Sequence, residues 1–361
     1  MDGNGLPRPL LSALSRLSPL LHALRARLVS AGPRPRFLHQ RGAWSAGAGA
    51  ALSSALEQDL RSCAELARTH YENFAVGSLL LPRTLRLSLA AIYAAVRIAD
   101  DLADEPVPGV DPRLALSEWE RGLEAAAAGR SAPHFAQRAC GAVIRELALP
   151  LDPFRALFRA FRRDTVQQRY ETWEDLLEYC SDSANPVGRL VLLLFGVHDP
   201  QLLEASDQIC TGLQLVNHWQ DVADDARRGR IYLPAEDLAR FAVDPEALLR
   251  GEDSPGLRAL LAFETTRARA LLEQGGTLIP ATGGRLRLEV ALFRRAGLVA
   301  CDALAAAHYA VQQGAPRLGA RRRLQILFAG VRDALQARRL PAEPSGTGRR
   351  ALAPPEAPHG A

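Results

Sequence analysis

The stretch QLVNHWQDVADD, from Gln214 to Asp225, predicts a helix that carries its acidic residues on one face. Asn217, Asp221 and Asp225 are spaced i, i+4, i+8, and Gln214 lies one turn earlier on the same face. Apolar residues occupy most other positions, so we expect this helix to be largely buried. Stacked carboxylates repel each other and are costly in a dry interior. The stretch therefore predicts a buried acidic face with a cationic partner.

A second acidic stretch, YAAVRIADDLADE, begins at Tyr93 and has the same character. Helical spacing places Tyr93, Arg97, Asp100 or Asp101, and Asp104 on a shared face. The flanking residues are again apolar, so this helix is also expected to be buried. The chain thus has two D-x-x-x-D pairs that lie far apart in sequence.

Two such pairs on buried helices predict a shared cavity. Carboxylate oxygens suit Mg²⁺, which keeps coordination positions free for phosphate oxygens of a substrate. Arg97 and Asn217 would complete a clamp for a diphosphate group. A single D-x-x-x-D motif is more often a solvated acidic helix face, since short motifs match by chance. The second motif, with its own apolar flanks, favours the diphosphate site.

Composition favours an all-α protein and excludes several kinds of site. Apolar residues make up 48% and charged residues 23% of the 361 positions, as in folded soluble proteins. Ala, Leu and Arg dominate, and β-branched residues are sparse. The chain has no Lys, so all 44 basic residues are Arg. A Schiff-base lysine and the lysine of a phosphate-binding P-loop are therefore excluded.

The basic charge is concentrated in the first 50 residues, which carry seven Arg against Asp2 alone. The remainder of the chain is slightly acidic, so we expect no nucleic-acid partner. In a eukaryote this basic segment would resemble a mitochondrial transit peptide. In a bacterium it would be an unstructured extension, or the result of a start codon placed too early. We expect residues 1–54 to lie outside the fold, residues 55–340 to form one all-α domain, and the Pro/Gly/Ala-rich residues 341–361 to be disordered.

Hydrophobic periodicity predicts a succession of helices with short connections. Ile231 to Pro234 is the one β-like tetrad. The five scattered cysteines are expected to be buried free thiols, and no apolar run is long enough to predict a transmembrane helix. The predicted helices are Ala55–Thr69, Arg83–Glu105 and Asp111–Gly129, followed by residues 134–148, 152–170, 173–195, 200–227, 254–280, 285–313 and 319–338.

Five motifs follow one another along the chain: HYENF (His70–Phe74), DDLAD (Asp100–Asp104), YCSDSANPVGR (Tyr179–Arg189), QLVNHWQDVADD and RIYLP (Arg230–Pro234). In this order they resemble the squalene/phytoene synthase family of head-to-head prenyl synthases. The likeness covers most of residues 60–335 and implies the class I isoprenoid synthase fold, a single all-α domain around a central apolar cavity. Within the family, several motifs most resemble the hydroxysqualene synthases of bacterial hopanoid clusters.

The resemblance implies roles for individual residues. Arg97 is expected to act in catalysis together with the carboxylates that bind Mg²⁺. Gln220 stands where squalene and phytoene synthases usually carry Arg, which removes one cation near the phosphate. Arg189 either reaches the diphosphate or makes a surface ion pair. The implied metal ligands are Asp100, Asp104, Asn217, Asp221 and Asp225. The implied substrate-binding residues are His70, Asn73, Phe74, Tyr93, Arg97, Tyr179, Arg189, Gln214, Asn217 and Tyr309.

The SANPVGR motif has a physical interpretation of its own. Ser183, Ala184 and Gly188 are small, and Pro186 cannot donate to a helix ladder, so the helix should kink beside a shallow face. Such a face leaves room for a long hydrocarbon. A kinked helix that serves packing alone is the alternative.

The nearest resemblance implies that presqualene diphosphate and water are converted to hydroxysqualene and diphosphate. Squalene, phytoene and presqualene diphosphate synthases remain alternatives, and hydride capture would require NADPH. Neighbouring enzymes of the squalene/hopanoid pathway are implied as partners. A cytoplasmic location is expected, with peripheral contact to the inner membrane as an open alternative.

Two alternatives belong to other functional classes. The chain could be a non-catalytic mitochondrial assembly factor of the same fold, which the Arg-rich N-terminal segment would suit. It could also be a helical lipid-binding module. The buried acidic motifs argue against the assembly factor, because an unliganded carboxylate cluster is costly to maintain. The lipid-binding module predicts ligand binding that does not depend on Mg²⁺.

Overall fold

The computed structural model of the protein describes residues 54–70, 83–105, 108–312, 314 and 320–337. Within these ranges the regular structure is helical and no β-strand occurs. The α-helices are α1 (Ser54–His70), α2 (Arg83–Asp104), α3 (Pro112–Ala127), α4 (Phe135–Glu146), α5 (Asp152–Asp164), α6 (Trp173–Ser183), α7 (Asn185–Leu194), α8 (Pro200–Arg227), α9 (Ala235–Arg240), α10 (Pro245–Leu249), α11 (Pro255–Gln274), α12 (Leu278–Ala281), α13 (Gly284–Ala306) and α14 (Ala320–Gln336). A 3₁₀ turn, Gly275–Thr277, links α11 to α12.

The starts of α3 and α8 follow from their sequences. The Asp111 carboxylate accepts a hydrogen bond from the backbone N–H of Arg113, and Pro112 occupies the first turn of α3, as predicted. Asp199 caps α8 in the same way. An Asp cap followed by Pro satisfies one free N–H and tolerates the loss of another. These caps fix where the two helices begin.

Residues 173–195, predicted as one kinked helix, form two helices that are broken at Ala184. Pro186 has no N–H to donate to the carbonyl one turn earlier, so the ladder is interrupted there. Thr211 Oγ1 donates to Asn185 Oδ1 at 2.8 Å and fixes the first residue of α7 against α8. The kink is therefore a complete break.

Several predicted helix ends were too late. The predicted helix 152–170 ends at Asp164, and 285–313 ends at Ala306. The latter ends because the backbone of the two residues before Ala310 turns left-handed. The predicted helix 254–280 is interrupted by the 3₁₀ turn, and the short helices α9 and α10 were not predicted. The β-like tetrad forms no strand, although the N–H of Ile231 donates to the carbonyl of Gln168.

Two clusters of apolar side chains form the core. One cluster contains residues of α1, α2, α3, α4 and α5, and the other contains residues of α6, α8, α11, α13 and α14. Val191 and Phe195, at the end of α7, pack against both clusters, so α7 lies at their junction. All five cysteines are free, as predicted. Among the described helices, none has the length and apolarity needed to cross a membrane.

Candidate active site

Arg97 is the cation of the α2 acidic face. Its Nη1 donates to Asp100 Oδ2 at 3.3 Å, and its Nη2 lies 2.5 Å from Asp101 Oδ1. Burial works to lower the pKa of Arg97, but the two carboxylates outweigh it and leave the pKa above its ordinary value. The side chain is 10% exposed, so this cation is held inside the protein rather than in solvent.

Asp100 and Asp104 form the predicted pair on α2. Burial raises the pKa of Asp100 to about 7, and the nearby Asp104 carboxylate adds to this, while Arg97 opposes it. Two acids in one site resist simultaneous ionisation. Near neutral pH Asp100 is therefore partly protonated, and a bound cation would displace that proton.

The α8 face carries Asn217, Asp221 and Asp225 in the predicted order. Burial raises the pKa of Asp221 to about 6. Burial and the Asp221 charge together raise the pKa of Asp225 to about 7. Asn217 Oδ1 is buried and has no hydrogen-bond partner among the residues that the structure describes. This face therefore presents two buried carboxylates with raised pKa values and one amide oxygen without a described hydrogen-bond partner.

Asp164, the last residue of α5, interacts electrostatically with both acidic helices, through Asp104 and Asp225. Burial raises the pKa of Asp164 to about 7, although the Tyr179 hydroxyl donates to its Oδ2 at 3.1 Å. Arg230, which follows α8, donates to Asp104 Oδ1 at 3.4 Å. Asp164 and Arg230 thus connect the α2 face with the α8 face.

Four rings form a wall behind these acids. His218 stacks on Tyr232 with ring centroids 3.7 Å apart, and Tyr179 packs against Tyr232 and Tyr170 at 5.8 and 5.3 Å. Tyr179 is buried, and its hydroxyl holds Asp164 in place. The rings thus bury one side of Asp164 and Asp225, and burial is the main cause of the raised pKa values of these two carboxyls.

His218 is neutral, because burial lowers its pKa to about 3, with the Arg230 charge adding to the effect. Its Nε2 lies 3.2 Å from Gln214 Nε2 and its Nδ1 lies 4.0 Å from Asp225 Oδ2. With the Gln214 amide donating to Nε2, the ring proton is on Nδ1 and faces Asp225. Gln214 therefore acts on the site through His218.

A cavity of about 290 Å³ adjoins the acidic helices. Its walls come from α2, α5, α6, α7, α8, α12 and α13, and most of the lining side chains are apolar. The polar residues of the lining include Tyr93, Arg97 and Asp100 of α2 and Asn217 of α8. Asp104 lies one turn beyond Asp100, and Asp221 and Asp225 lie one and two turns beyond Asn217. The arrangement suits a ligand with an anionic head and a long apolar body.

Some residues implied by the resemblance do not line the cavity. Of the two alternatives for Arg189, the structure shows the surface ion pair. Its Nε and Nη2 donate to the carboxylate of Asp207 at 2.5 to 3.1 Å. Gln220 is a buried residue of α8 and does not line the cavity. Tyr309 lies beyond the end of α13, in a left-handed conformation with φ 56°, so it is not on the predicted helix. Asp224 is half-buried and pairs with Arg227, away from the acidic face.

Three predicted residues near the N terminus cannot be placed. Asn73 and Phe74 lie outside the described residues. His70 is the last residue of α1, and its side chain is also outside the description. Their roles in binding remain predictions.

Asp164 was missed by the sequence reasoning. In FRRDTVQQRY an acid among arginines is typical of a solvated helix end. One signal was available, because a carboxylate at a helix C terminus faces the negative end of the helix dipole and needs a reason to be there. Its contact with Tyr179 brings together two helices and could not be read from local spacing.

The donor chemistry of the site fits a hard divalent cation. All the candidate ligands offer oxygen atoms, which Mg²⁺ prefers. Within the described residues, no three His, Cys, Asp or Glu side chains are close enough to hold an ion by themselves. The unpartnered Asn217 Oδ1 and the raised pKa values of Asp221 and Asp225 indicate oxygens that a cation would stabilise.

Comparison with known proteins identifies relatives along most of the chain. A family model described as squalene/phytoene synthase matches residues 67–325. The 15-cis-phytoene synthase of Synechococcus elongatus is 36% identical over 241 residues, which cover 62% of this chain and 75% of the relative. The hydroxysqualene synthase of Sinorhizobium fredii is 33% identical over 223 residues, which cover 61% of this chain and 75% of the relative.

Solved structures agree in fold. The squalene synthase HpnC of Alicyclobacillus acidocaldarius is 40% identical with a TM-score of 0.68, covering 72% of this chain and 97% of that one. A dehydrosqualene synthase in complex with ligand is 24% identical with a TM-score of 0.67, covering 78% of this chain and 98% of that one. The second likeness concerns the fold alone.

Proposed function

The chain belongs to the squalene/phytoene synthase family of isoprenoid synthases, which act on prenyl diphosphates, and we propose that it converts presqualene diphosphate and water to hydroxysqualene and diphosphate. The observation that carries this proposal is an apolar cavity whose lining includes Tyr93, Arg97 and Asp100 of one acidic helix and Asn217 of the other. Such a cavity accommodates hydrocarbon along most of its surface and a diphosphate beside the acidic helices. The membership also argues against a non-catalytic role.

Mg²⁺ is the proposed cofactor, and bound Mg²⁺ would supply positive charge to the diphosphate oxygens. Asp100 and Asp104 on α2 would hold it together with Asn217, Asp221 and Asp225 on α8. The raised pKa values of Asp100 and Asp225 mean that protons leave these carboxyls when a cation binds.

In the proposed reaction the C–O bond to diphosphate breaks, and both electrons leave with the diphosphate. Arg97 stabilises the charge that develops on the departing group. The apolar walls exclude bulk water from the carbocation. A water oxygen then bonds to the cationic carbon and loses a proton, so no reductant is consumed.

A second candidate is phytoene synthesis, because relatives such as that of Synechococcus elongatus carry this name. In that reaction the carbocation loses a proton instead of gaining water. Both candidates use the same residues for the diphosphate and differ in the hydrocarbon and the fate of the cation.

The test is incubation of the purified full-length protein with Mg²⁺ and presqualene diphosphate, without NADPH, followed by identification of products. We expect hydroxysqualene and diphosphate, with no product from Asp221→Ala or after chelation of the metal. Formation of phytoene alone from geranylgeranyl diphosphate, or of presqualene diphosphate alone from farnesyl diphosphate, would reject the proposed reaction within the same family.

A further inference from the structure

Glu289 on α13 is a buried acid that the proposed reaction does not use. It is 6% exposed, it lines the apolar cavity, and its Oε1 has no hydrogen-bond partner among the described residues. Burial raises the pKa of Glu289 to about 8, although the charge of Arg285 opposes this. At neutral pH a mostly protonated carboxyl group therefore faces the space that we assign to hydrocarbon.

The position of Glu289 along the cavity follows from how the helices run. Arg294 Nε, on α13, donates to the carbonyl of Leu272, near the end of α11, at 2.7 Å. Further along α13, Asp302 pairs with Arg269, which lies earlier on α11. The helix α13 is therefore antiparallel to α11.

The helix α8 is also antiparallel to α11. A Cβ at Gly212 would meet the side chain of Leu272, whereas a Cβ at Gly275, just after α11, would meet Ile209. Leu272 thus lies at Gly212, whereas Gly275, which comes later in the chain, lies at Ile209, which comes earlier in α8. Because both helices oppose α11, α8 and α13 run in the same direction.

Gly297 of α13 lies level with Leu213 of α8, since a Cβ at Gly297 would come within 2.9 Å of Leu213 Cδ2. Glu289 precedes Gly297 by eight residues, and Asn217 follows Leu213 by four. At 1.5 Å per residue, Glu289 and Asn217 are roughly 18 Å apart along the helix direction. Glu289 therefore lies toward the end of the cavity that is remote from the diphosphate site.

This separation lies between the lengths of two prenyl tails. An extended chain advances ~3.8 Å for every three bonds, so three isoprene units of four bonds each span roughly 15 Å and four units roughly 20 Å. A farnesyl tail whose diphosphate lies beside Asn217 stops short of Glu289. A geranylgeranyl tail reaches it.

A neutral carboxyl group discriminates between these tails because it needs a hydrogen-bond partner. Without one, its desolvation is unfavourable, and a water molecule in the cavity can supply the partner that Glu289 Oε1 lacks. A shorter tail leaves that water in place. A longer tail displaces it and leaves the carboxyl group facing hydrocarbon.

We propose that Glu289 is a specificity-determining residue, which holds a water molecule at the remote end of the cavity and so limits the tails to the farnesyl length. The inference rests on the proposed function in one respect, because it takes a prenyl diphosphate as the ligand. It adds the residue that would separate substrates built from farnesyl units from those built from geranylgeranyl units.

The test compares Glu289→Met, which keeps the shape of the side chain without its polar group, with Glu289→Gln, which keeps hydrogen bonding. Turnover of presqualene diphosphate and of prephytoene diphosphate, its homologue with longer tails, is measured with Mg²⁺. We expect the wild type and the Gln variant to prefer presqualene diphosphate. The Met variant should shift the ratio of kcat/KM toward prephytoene diphosphate by about 10- to 100-fold.

Glu264→Gln provides the matched control. Glu264 is a buried glutamate on the neighbouring α11, but it contacts Arg267 and does not line the cavity. Its replacement should leave the ratio of kcat/KM unchanged. Glu289→Ala, which also removes the polar group, should shift the ratio in the same direction as Glu289→Met.

An unchanged ratio in a Met variant that unfolds at the wild-type temperature overturns the proposal. So does a Met variant that keeps its length preference but releases a hydrocarbon, since the water at Glu289 would then be the reactant. Affinities for farnesyl and geranylgeranyl thiolodiphosphate, which bind without ionising, give a measurement that does not need turnover. If the wild type fails to turn over presqualene diphosphate, the proposed function fails, while these affinities still test Glu289.

Discussion

The two acidic helices balance their carboxylates in different ways. On α2, Arg97 lies within the same helix and contacts Asp100 and Asp101 directly. On α8, Asp221 and Asp225 have no ion pair with an arginine in the described part of the chain. The α2 face thus contains its own cation, whereas the α8 face does not.

The difference indicates a division of work. In the proposed function Arg97 would be available to the diphosphate with or without a bound metal, and its ion pairs with Asp100 and Asp101 also stabilise the metal-free protein. The α8 carboxylates lie near each other and make no ion pair with an arginine in the described residues. The charges of Arg228 and Arg230 act on them from a greater distance. Their arrangement is favourable when a cation binds and unfavourable otherwise. The two faces should therefore respond in opposite ways to loss of a charged group.

The largest effect is expected for Asp225→Asn. Loss of one α8 carboxylate should reduce kcat by about 100- to 1000-fold, as for other groups that stabilise charge in a transition state. The metal-free variant should unfold at a higher temperature than the wild type at pH 8, because Asp221 loses a repulsive neighbour. Turnover assays and thermal unfolding measure the two effects.

Asp224→Asn is the control at the adjacent position. Asp224 pairs with Arg227 on another side of α8, so its loss should change kcat less than about twofold, as expected for a surface pair. Equal losses at Asp224 and Asp225 would mean that helix stability, and not the acidic face, governs turnover.

Arg97→Gln should have the second largest effect and the opposite sign in stability. We expect kcat/KM to fall about 10- to 100-fold, because the neutral Gln side chain lacks the positive charge that stabilises the departing diphosphate. The metal-free protein should lose roughly 1–3 kcal/mol in the free energy of unfolding, since Asp100 and Asp101 lose their partner. Urea unfolding at pH 8 measures this loss.

Arg113→Gln is the matched variant, because Arg113 is exposed and pairs with Asp111 at the start of α3. It should leave both kcat/KM and the unfolding temperature close to those of the wild type, because exposed ion pairs contribute little to stability. A stable Arg97→Gln protein would contradict the view that α2 is balanced by its own cation.

The sequence predicted the acidic faces well because both lie inside long helices with a regular period. Asn217, Asp221 and Asp225 lie on one face of α8 as their spacing required, and Asp224 points elsewhere. The start of α3 was predicted because Asp111 and Pro112 act locally. Such features depend on residues that are neighbours in the chain.

The features that were missed depend on contacts between helices. Asp164 and Glu289 both stand in stretches with several arginines, where an acid is typical of a solvated surface. Their burial results from packing against Tyr179 in one case and around the cavity in the other. The break at Ala184 was underestimated as a kink, because the spacing did not show that Thr211 would fix Asn185.

The raised pKa values of the buried acids should have a smaller effect, seen in how stability depends on pH. The folded-state pKa values of Asp100, Asp164 and Asp225 are each about 7, above the value near 4 of an unfolded Asp. Between these values the folded protein binds more protons than the unfolded chain, so stability falls as pH rises from about 4 to 7. The metal-free protein should unfold at a temperature on the order of 5 °C lower at pH 8 than at pH 5.

Mg²⁺ should reverse this trend. It binds ionised carboxylates, so it should raise the unfolding temperature more at pH 8 than at pH 5, and protons should be released when it binds. Calorimetric titration in two buffers measures the release. An equal Mg²⁺ effect at both pH values would show that the raised pKa values do not belong to the cation site.

The smallest effect is expected for Arg189→Ala. Arg189 is about half exposed and its carboxylate partner Asp207 joins α7 to α8 at the surface. The variant should lose at most ~1 kcal/mol in the free energy of unfolding and keep kcat/KM within about twofold. Arg159→Ala, which removes the surface pair with Asp182, is the matched control. A tenfold rise in KM for the diphosphate substrate in Arg189→Ala alone would instead mean that Arg189 moves to bind the diphosphate. Arg97 would then not be the sole arginine needed to bind it.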